Sequence, residues 1–460
     1  MTAPIPGLSL SPLEILAVLG ALAVVLARWL AHRKAVLLTG ASVVAAAGAA
    51  LAATGLRWQL YSVLLLTAIV LVVALARRGR GRMRRRFAVP GTAACLLVLA
   101  ATPIAAWALP VPVYPEPTGA HDVGSAVFQW TDETRPEPFT DDPDDHRTIV
   151  VQLWYPAEAG PDAERAIAGR STLEESQAVT QATADLFGIP GFLLEDAAAA
   201  PSHAVFDAPA APGRFPVIVF SPGLNATRTA NTALAEEWVS RGYAVATVDH
   251  PYDAALTYVD GAPAYSRNTL NTTDEAEIAA INRANIETRS ADLSFTLTQL
   301  DTVALAPHLD TGRAAVAGHS RGAVAALAAL AADPRFDAAV HIDGGLEPTL
   351  MPGPFTQPVL SITSPISAAE NPDYLPTLDA ALALGPKDTY RIELEGAGHF
   401  SFTDAALSFP PVPSILGTVG RTEGLQRTAD ATAVFLDAVL RGEPTDLPGQ
   451  LAQFGTLTSI

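Results

Sequence analysis

Hydrophobic residues are unevenly distributed along this chain. Four long apolar runs, 15–31, 35–56, 60–76 and 89–109, fill most of the first 110 residues. Each run has about 17 to 22 residues, the length that crosses a hydrocarbon layer as a helix. Four runs in succession favour membrane spans over buried core helices. The first run also lacks the basic residues that precede the apolar part of a signal peptide.

The placement of Arg and Lys predicts how the spans are oriented. Residues 1–110 contain eleven Lys and Arg residues against one acid, Glu14, and the basic residues concentrate in the first and third connections. Cytoplasmic loops of multi-pass proteins carry this excess. We therefore expect a multi-pass protein of the cell membrane, with the N-terminus and everything after residue 110 on the extracytoplasmic side. No acid or histidine lies inside a span, so the region is interpreted as an anchor.

Beyond residue 110, short apolar segments alternate with amphipathic ones, which is typical of a mostly parallel sheet with helices on both faces. The order of elements predicts an α/β-hydrolase domain over 111–460, preceded by the membrane anchor over 1–110. Two segments, 161–201 and 251–273, interrupt the alternation and are either surface excursions or a cap over the active site. Strands are predicted at 126–131, 148–155, 205–206, 215–220, 244–248, 314–317, 338–342, 359–363 and 390–394, and helices at 232–241, 276–301, 323–332 and 428–440.

Composition excludes several classes of function. The chain carries a formal net charge of −18 although its first 110 residues are basic, so the remainder is strongly acidic. This charge argues against nucleic acid as a partner. The only cysteine, Cys95, falls in the fourth span, which excludes disulfides, thiol catalysis and Cys-based metal sites in the domain that follows.

The strongest chemical signal is the sequence Gly318-His319-Ser320-Arg321-Gly322, which stands between a predicted strand and a predicted helix. A G-x-S-x-G motif in this context is a nucleophile elbow, which exposes the serine hydroxyl near a base and near N–H donors at a helix start. The motif by itself is also compatible with a glycine-rich turn. The flanking strand and helix favour Ser320 as a catalytic nucleophile.

The base and the acid of such a site follow the serine along the chain. Of the two histidines downstream, His341 lies inside a predicted strand and is interpreted as a core residue, whereas His399 lies in a glycine-rich loop just past a strand. We therefore predict His399 as the base.

Position along the chain leaves three candidates for the acid. Asp343 directly ends a predicted strand, while Glu370 and Asp373 lie in the loop after the next strand, a position that many α/β-hydrolases use. A carboxylate at a buried strand end needs a partner, which a histidine N–H would supply, so Asp343 is favoured and the other two stay open.

An oxyanion hole requires one N–H from the residue after the serine, here Arg321, and a second from the loop after strand 215–220. That loop reads Ser221-Pro222-Gly223-Leu224. Proline cannot donate, so Leu224 is the candidate for the second donor.

Together, these stretches resemble the plasma and intracellular type II platelet-activating-factor acetylhydrolases and their bacterial relatives. The resemblance implies an α/β-hydrolase fold, Asp343 as the triad acid, and Leu224 and Arg321 as the oxyanion donors. It also implies a phospholipid-like or other ester substrate with a short or truncated acyl chain. The matching stretches are 117–124 (PTGAHDVG), 151–158 (VQLWYPAE), 215–228 (FPVIVFSPGLNATR), 242–254 (GYAVATVDHPYDA), 318–323 (GHSRGA), 336–345 (FDAAVHIDGG) and 396–404 (GAGHFSFTD).

The chain departs from the family pattern at Pro222, where relatives commonly have histidine, and at Ala323, where they have glycine. Neither side chain belongs to the triad, so the changes bear on loop shape and acyl preference. The predicted reaction needs no metal or organic cofactor, and the sequence predicts no oligomeric state. Three alternatives stay open: a general carboxylesterase or polyester hydrolase, an envelope acyltransferase, and a non-catalytic membrane-anchored binding module.

Overall fold

The computed structural model describes residues 9–77, 84–160, 162–267, 274–347, 350, 353–443 and 446–460. The chain forms two compact units. The first comprises Met1–Pro112 and the short segment Phe192–Ala197, and the second comprises Val113–Gly191 and Ala198–Ile460. Residues 1–8, predicted to lie on the extracytoplasmic side, are outside the described part of the chain. So are residues 78–83 of the basic third connection.

The first unit is built from four long helices. They are α1 (Pro12–Leu26), α2 (Arg33–Thr54), α3 (Tyr61–Ala76) and α4 (Arg85–Ala108). With the short helical turns beside them, all four are long and apolar enough to cross a membrane. Helices α1 and α2 approach closely at Gly20 and Gly40, where a Cβ on Gly40 would lie 2.7 Å from the Gly20 carbonyl oxygen. Small residues allow such close helix packing in membranes.

One buried ion cluster explains why Phe192–Ala197 belongs to the first unit. Arg57 is 5% exposed, and its Nε donates to Asp196 Oδ2 at 2.8 Å, while Nη1 lies 3.5 Å from Glu14 Oε1. A buried guanidinium needs such partners, since an uncompensated charge is costly to bury. The Trp58 ring also packs edge-on against Phe192.

The second unit is a ten-stranded mixed sheet in the order β12-β11-β10-β9-β8-β4-β5-β2-β1-β3. The strands from β11 across to β5 are parallel, and β12 and β2 join the two ends of this parallel part in antiparallel fashion. The strands are β1 (Asp122–Pro136), β2 (His146–Ala157), β3 (Val205–Phe206), β4 (Phe215–Ser221), β5 (Ala244–Asp249), β6 (Leu256–Val259), β7 (Ala262–Tyr265), β8 (Leu309–His319), β9 (Phe336–Ile342), β10 (Val359–Thr363), β11 (Tyr390–Glu393) and β12 (Thr456–Ser459).

Helices cover both faces of the sheet, as the separate apolar clusters on its two sides indicate. Strands β4 and β5 are buried along their whole length, which explains their continuous apolar sequence. Most of helix α6 (Glu195–Ala198) belongs to the first unit. The other helices after residue 112 are α5 (Leu173–Leu186), α7 (Thr232–Ser240), α8 (Glu275–Gln299), α9 (Arg321–Ala332), α10 (Pro365–Glu370), α11 (Tyr374–Leu382), α12 (Ala405–Ser408), α13 (Pro413–Leu416), α14 (Glu423–Leu440) and α15 (Leu447–Leu451).

The predicted fold class, a mostly parallel sheet flanked by helices after four apolar helices, is confirmed. Strand β12 was not predicted, because its four residues at the edge of the sheet are only partly buried. The segment 161–201 contains helix α5, and the segment 251–273 contains the hairpin β6–β7. Residue 161 and residues 268–273 of these segments lie outside the described part of the chain.

Candidate active site

Ser320 stands at the sharp turn between β8 and α9. Its backbone has φ 55° and ψ −123°, a conformation that a non-glycine residue seldom adopts. The two motif glycines make the turn possible: a Cβ on Gly318 would lie 2.2 Å from the Gly322 carbonyl oxygen, and one on Gly322 would lie 2.0 Å from the Ser221 carbonyl oxygen. The local sequence therefore places the Ser320 hydroxyl clear of the strand, where it is partly exposed.

Sheet register brings Asp343 beside Ser320. In the parallel pair β8–β9, His319 is opposite Ile342, so the two residues that follow these strands are neighbours. The Ser320 amide donates to the Ile342 carbonyl at 2.8 Å. Polar residues at the carboxyl ends of parallel strands commonly form ligand sites.

His399 completes the array. It lies in a short helical turn, His399–Phe402, six residues after the last residue of β11. Its Nε2 is 3.1 Å from Ser320 Oγ, and its Nδ1 is 2.8 Å from Asp343 Oδ2. An ionised carboxylate can only accept, so Nδ1 carries the hydrogen and Nε2 is free to accept the proton of the serine.

The Asp343 carboxylate is 1% exposed and is held by three further donors. Oδ1 accepts from the Ser364 amide at 2.8 Å and from the Tyr374 hydroxyl at 3.0 Å, while Oδ2 accepts from the Ser367 hydroxyl at 2.7 Å. Burial by itself raises the pKa of the Asp343 carboxyl. The hydrogen bond and charge of His399, with the donors at Ser364 and Ser367, outweigh burial and lower the pKa below its ordinary value.

The other two candidate acids are not part of this array. Glu370 and Asp373 are exposed, and neither is hydrogen-bonded to His399. His341 is fully buried inside β9, where its Nδ1 lies 2.9 Å from Ser361 Oγ. This arrangement agrees with the interpretation of His341 as a core residue.

Sequence reasoning did not identify His319, which supports the loop of His399. The two imidazole centroids are 4.7 Å apart, and His319 Nε2 donates to the His399 carbonyl oxygen at 3.1 Å. Burial, followed by the charge of His399, lowers the pKa of His319 to about 3. His319 therefore stays neutral. The only sequence feature that could have indicated this role is the position of His319 directly before Ser320 in the motif.

The two predicted oxyanion donors, the amides of Arg321 and Leu224, belong to two segments that adjoin the serine. The Arg321 amide is the first of helix α9 and so has no acceptor within the helix. The loop after β4 lies against the serine, since a Cβ on Gly223 would be 3.4 Å from both Ser320 Cβ and His319 Nδ1. Leu224 follows in this loop, and its side chain is 40% exposed.

The described residues contain no group of three or more His, Cys, Asp or Glu side chains that could hold a metal ion. A mostly parallel sheet flanked by helices, with a serine at the strained turn between strand and helix, defines the α/β-hydrolase class of folds.

Within that class, residues 115–440 match the family model described as platelet-activating factor acetylhydrolase, isoform II. This match covers most of the chain, and the protein belongs to that family.

Individual relatives agree with this assignment. The chain is 30% identical over 131 residues to a probable 1-alkyl-2-acetylglycerophosphocholine esterase of Arthroderma benhamiae, and 27% identical over 162 residues to a platelet-activating factor acetylhydrolase of Cavia porcellus. These alignments cover 28% and 29% of this chain, and 32% and 36% of the relatives. The chain thus spans about a third of the curated relatives it matches.

A solved structure matches over a longer range. It is a ferulic acid esterase from Streptomyces cinnamoneus, 26% identical, with a TM-score of 0.61. The match covers 75% of this chain and 98% of the esterase.

Proposed function

We propose that this protein is a serine hydrolase that cleaves carboxylic esters, with Ser320 as nucleophile, His399 as general base and acid, and Asp343 as the residue that orients the imidazole. The observation that carries the proposal is the series Ser320 Oγ, His399 Nε2, His399 Nδ1 and Asp343 Oδ2, with links of 3.1 and 2.8 Å. Membership of an acetylhydrolase family and similarity to a solved esterase support it.

In this mechanism, Ser320 Oγ adds to the ester carbonyl carbon while its proton passes to His399 Nε2. The backbone amides of Leu224 and Arg321 stabilise the oxyanion that forms, and Asp343 stabilises the imidazolium. The imidazolium then protonates the departing alkoxide, which leaves as the alcohol. Water, activated by the same imidazole, attacks the acyl enzyme and releases the acid.

The substrate we propose is an ester with a short or truncated acyl chain, of the phospholipid-like kind named for the curated relatives. Leu224 and Phe400 supply partly exposed apolar surface next to the triad, which suits an acyl group better than a charged one. The solved esterase neighbour favours a second candidate, a general carboxylesterase that uses the same residues.

The decisive experiment is hydrolysis of p-nitrophenyl esters from acetyl to palmitoyl by the full chain in detergent micelles, alongside Ser320→Ala. We expect the highest kcat/KM on the short esters, and a loss of several powers of ten in the variant. A 2-acetyl phospholipid assayed beside p-nitrophenyl acetate separates the acetylhydrolase from the general carboxylesterase. Added alcohol that diverts most of the acyl group to a new ester would indicate an acyltransferase. Turnover that survives in Ser320→Ala would refute the proposal.

We further propose that the four apolar helices span the cell membrane, with the hydrolase unit on the extracytoplasmic side. The excess of Arg and Lys in the first and third connections supports this orientation. In a Cys95→Ala background, Gly160→Cys should react with a membrane-impermeant maleimide in intact cells, and Lys34→Cys should react only after lysis. The reverse labelling pattern would overturn the orientation.

A further inference from the structure

One buried arginine of helix α8 forms hydrogen bonds to the loop that contains the proposed oxyanion donor Leu224. Arg289 is 1% exposed, and its Nη1 donates to the Pro222 carbonyl oxygen at 2.6 Å, while its Nη2 donates to the Gly223 carbonyl oxygen at 3.0 Å. Its Nε donates to Asp253 Oδ2 at 2.6 Å. A guanidinium presents several donors in a fixed fork, so this set of contacts defines the position of both peptides.

A series of hydrogen-bonded, buried side chains also contacts this arginine. Arg289 Nη1 lies 3.1 Å from Ser221 Oγ, Ser221 Oγ lies 2.9 Å from His250 Nε2, and His250 Nδ1 lies 2.8 Å from Asp292 Oδ2. Arginine only donates and an ionised carboxylate only accepts, so Arg289 donates to Ser221 Oγ and His250 Nδ1 donates to Asp292. Burial and the charge of Arg289 lower the pKa of His250 and keep it neutral, so its Nε2 carries no hydrogen and accepts. The Ser221 hydroxyl donates to His250, which is neutral with its hydrogen on Nδ1.

The environment of this series keeps it in that state. Burial, followed by the charge of Arg289, lowers the pKa of His250. Asp292 also pairs with Arg147 at 2.7 Å and with Arg135 at 2.9 Å, and these partners keep its carboxylate ionised. Burial opposes ionisation of Asp292, but the charge of Arg147 and the hydrogen bonds from His250 and Arg147 outweigh it and lower its pKa.

The order Ser, His, Asp in this series repeats that of the proposed catalytic triad, but its surroundings exclude the same chemistry. Ser221 is 0% exposed, and its hydroxyl is enclosed between His250 and Arg289. An ester could not reach it without unfolding the carboxyl end of β4. Ser221 instead contacts Arg289, which forms hydrogen bonds to the loop that begins at the next residue.

We propose that Arg289, braced by Ser221, His250 and Asp292, is a positioning residue that aims the Leu224 amide at the oxyanion; this inference rests on the proposed function. The carbonyl of Gly223 and the N–H of Leu224 belong to one peptide group, and in a planar trans peptide they point in opposite directions. Because Arg289 fixes the direction of that carbonyl, it also fixes the direction of the Leu224 N–H, in a loop that lies against Ser320. Asp253 adds a weaker contact to the next amide, Asn225, at 3.5 Å.

The test compares Arg289→Lys and Ser221→Ala with wild type, in the full chain in detergent. A lysine ammonium cannot bond both loop carbonyls and Asp253 at once, and alanine removes the brace while the loop sequence stays intact. Arg391→Lys is the matched control, since Arg391 is also buried and grips a carboxylate, Asp379, at 2.7 and 3.1 Å, away from the oxyanion loop. Exhaustive fluorophosphonate labelling of Ser320 counts the active chains.

Two readouts separate positioning from mere stability. The first is kcat and KM on p-nitrophenyl acetate. The second is the affinity for an alkyl trifluoromethyl ketone, whose adduct with Ser320 places an oxyanion in the hole. Loss of one oxyanion donor lowers kcat by about 10²–10³-fold. We expect Arg289→Lys to lower kcat by close to 10²-fold at unchanged KM, with the affinity for the ketone falling in proportion. Ser221→Ala should show a smaller loss of kcat and ketone affinity. Arg391→Lys should match wild type.

Unchanged kcat per active site in the variants, or a change confined to KM, would overturn the role of Arg289. If Arg289→Lys does not fold, Ser221→Ala decides alone by the same criteria. Failure of the proposed function would look different: wild type would then show no ester turnover, or Ser320→Ala would retain it.

Discussion

Replacing Asp343 by asparagine tests the proposed triad with little change of shape. The amide oxygen can keep the hydrogen bonds that Oδ1 now accepts from the Ser364 amide and the Tyr374 hydroxyl, at 2.8 and 3.0 Å. The amide nitrogen takes the place of Oδ2, 2.8 Å from His399 Nδ1. Because that nitrogen donates, it stabilises the imidazole tautomer with the hydrogen on Nε2, which cannot accept the proton of Ser320.

The expected loss can be estimated from this change of tautomer. The same replacement in a serine protease lowers kcat by about 10⁴-fold, which corresponds to about 5.5 kcal/mol of transition-state stabilisation. The Ser364 amide and the Tyr374 hydroxyl can still donate to the variant side chain, and the Ser367 hydroxyl, which now donates to Oδ2, can turn to accept from the amide nitrogen. We therefore expect the melting temperature to change little and KM to stay near its wild-type value.

The assay is the pH 7 hydrolysis of p-nitrophenyl acetate by the full chain in detergent, with kcat referred to active sites. Asp373→Asn is the matched control, because it makes the same chemical change at an exposed carboxylate in the loop that also offered a candidate acid. We expect the control to keep wild-type kcat. A kcat for Asp343→Asn within ten-fold of wild type, or an equal loss in the control, would refute the assignment of Asp343.

Two further substitutions test the elbow and the buried core. Gly322→Ala would place a Cβ 2.0 Å from the Ser221 carbonyl oxygen. We expect this overpacking to destabilise the fold by about 1–3 kcal/mol and to lower kcat by about 10²-fold. Gly160→Ala is the control, because a Cβ there has nothing within 4 Å, and it should leave melting temperature and kcat unchanged. Burial lowers the pKa of His341 from an ordinary value of 6.5 to about 4, against the opposing charge of Asp343. As the pH is lowered from 6.5 toward 4, the unfolded chain therefore binds a proton at His341 before the folded chain does. The free energy of unfolding decreases over this range by up to about 1.4 kcal/mol per pH unit. His341→Gln should flatten the profile of melting temperature against pH between pH 6.5 and 4, and an unchanged profile would contradict the shift.

The sequence by itself predicted the apolar helices, the central strands and the residues of the candidate site. Apolar runs of membrane length predicted the four helices of the first unit, and continuous apolar segments such as 215–220 predicted the central strands, because burial imposes a local and regular pattern. The elbow could be recognised because Gly318, Ser320 and Gly322 act within one turn. His399 followed from the small number of histidines downstream and from the loop in which it lies.

Only the tertiary structure decided which distant side chains meet. From residue positions alone, Asp343 competed with Glu370 and Asp373, and only the parallel register of β8 and β9 shows Asp343 next to Ser320. Arg289 lies 68 positions from Ser221, and nothing in the local sequence of α8 distinguishes it from the other charged residues of that helix. Hydrogen bonds of this kind depend on how helices pack across a sheet, and that packing is set by contacts throughout the chain.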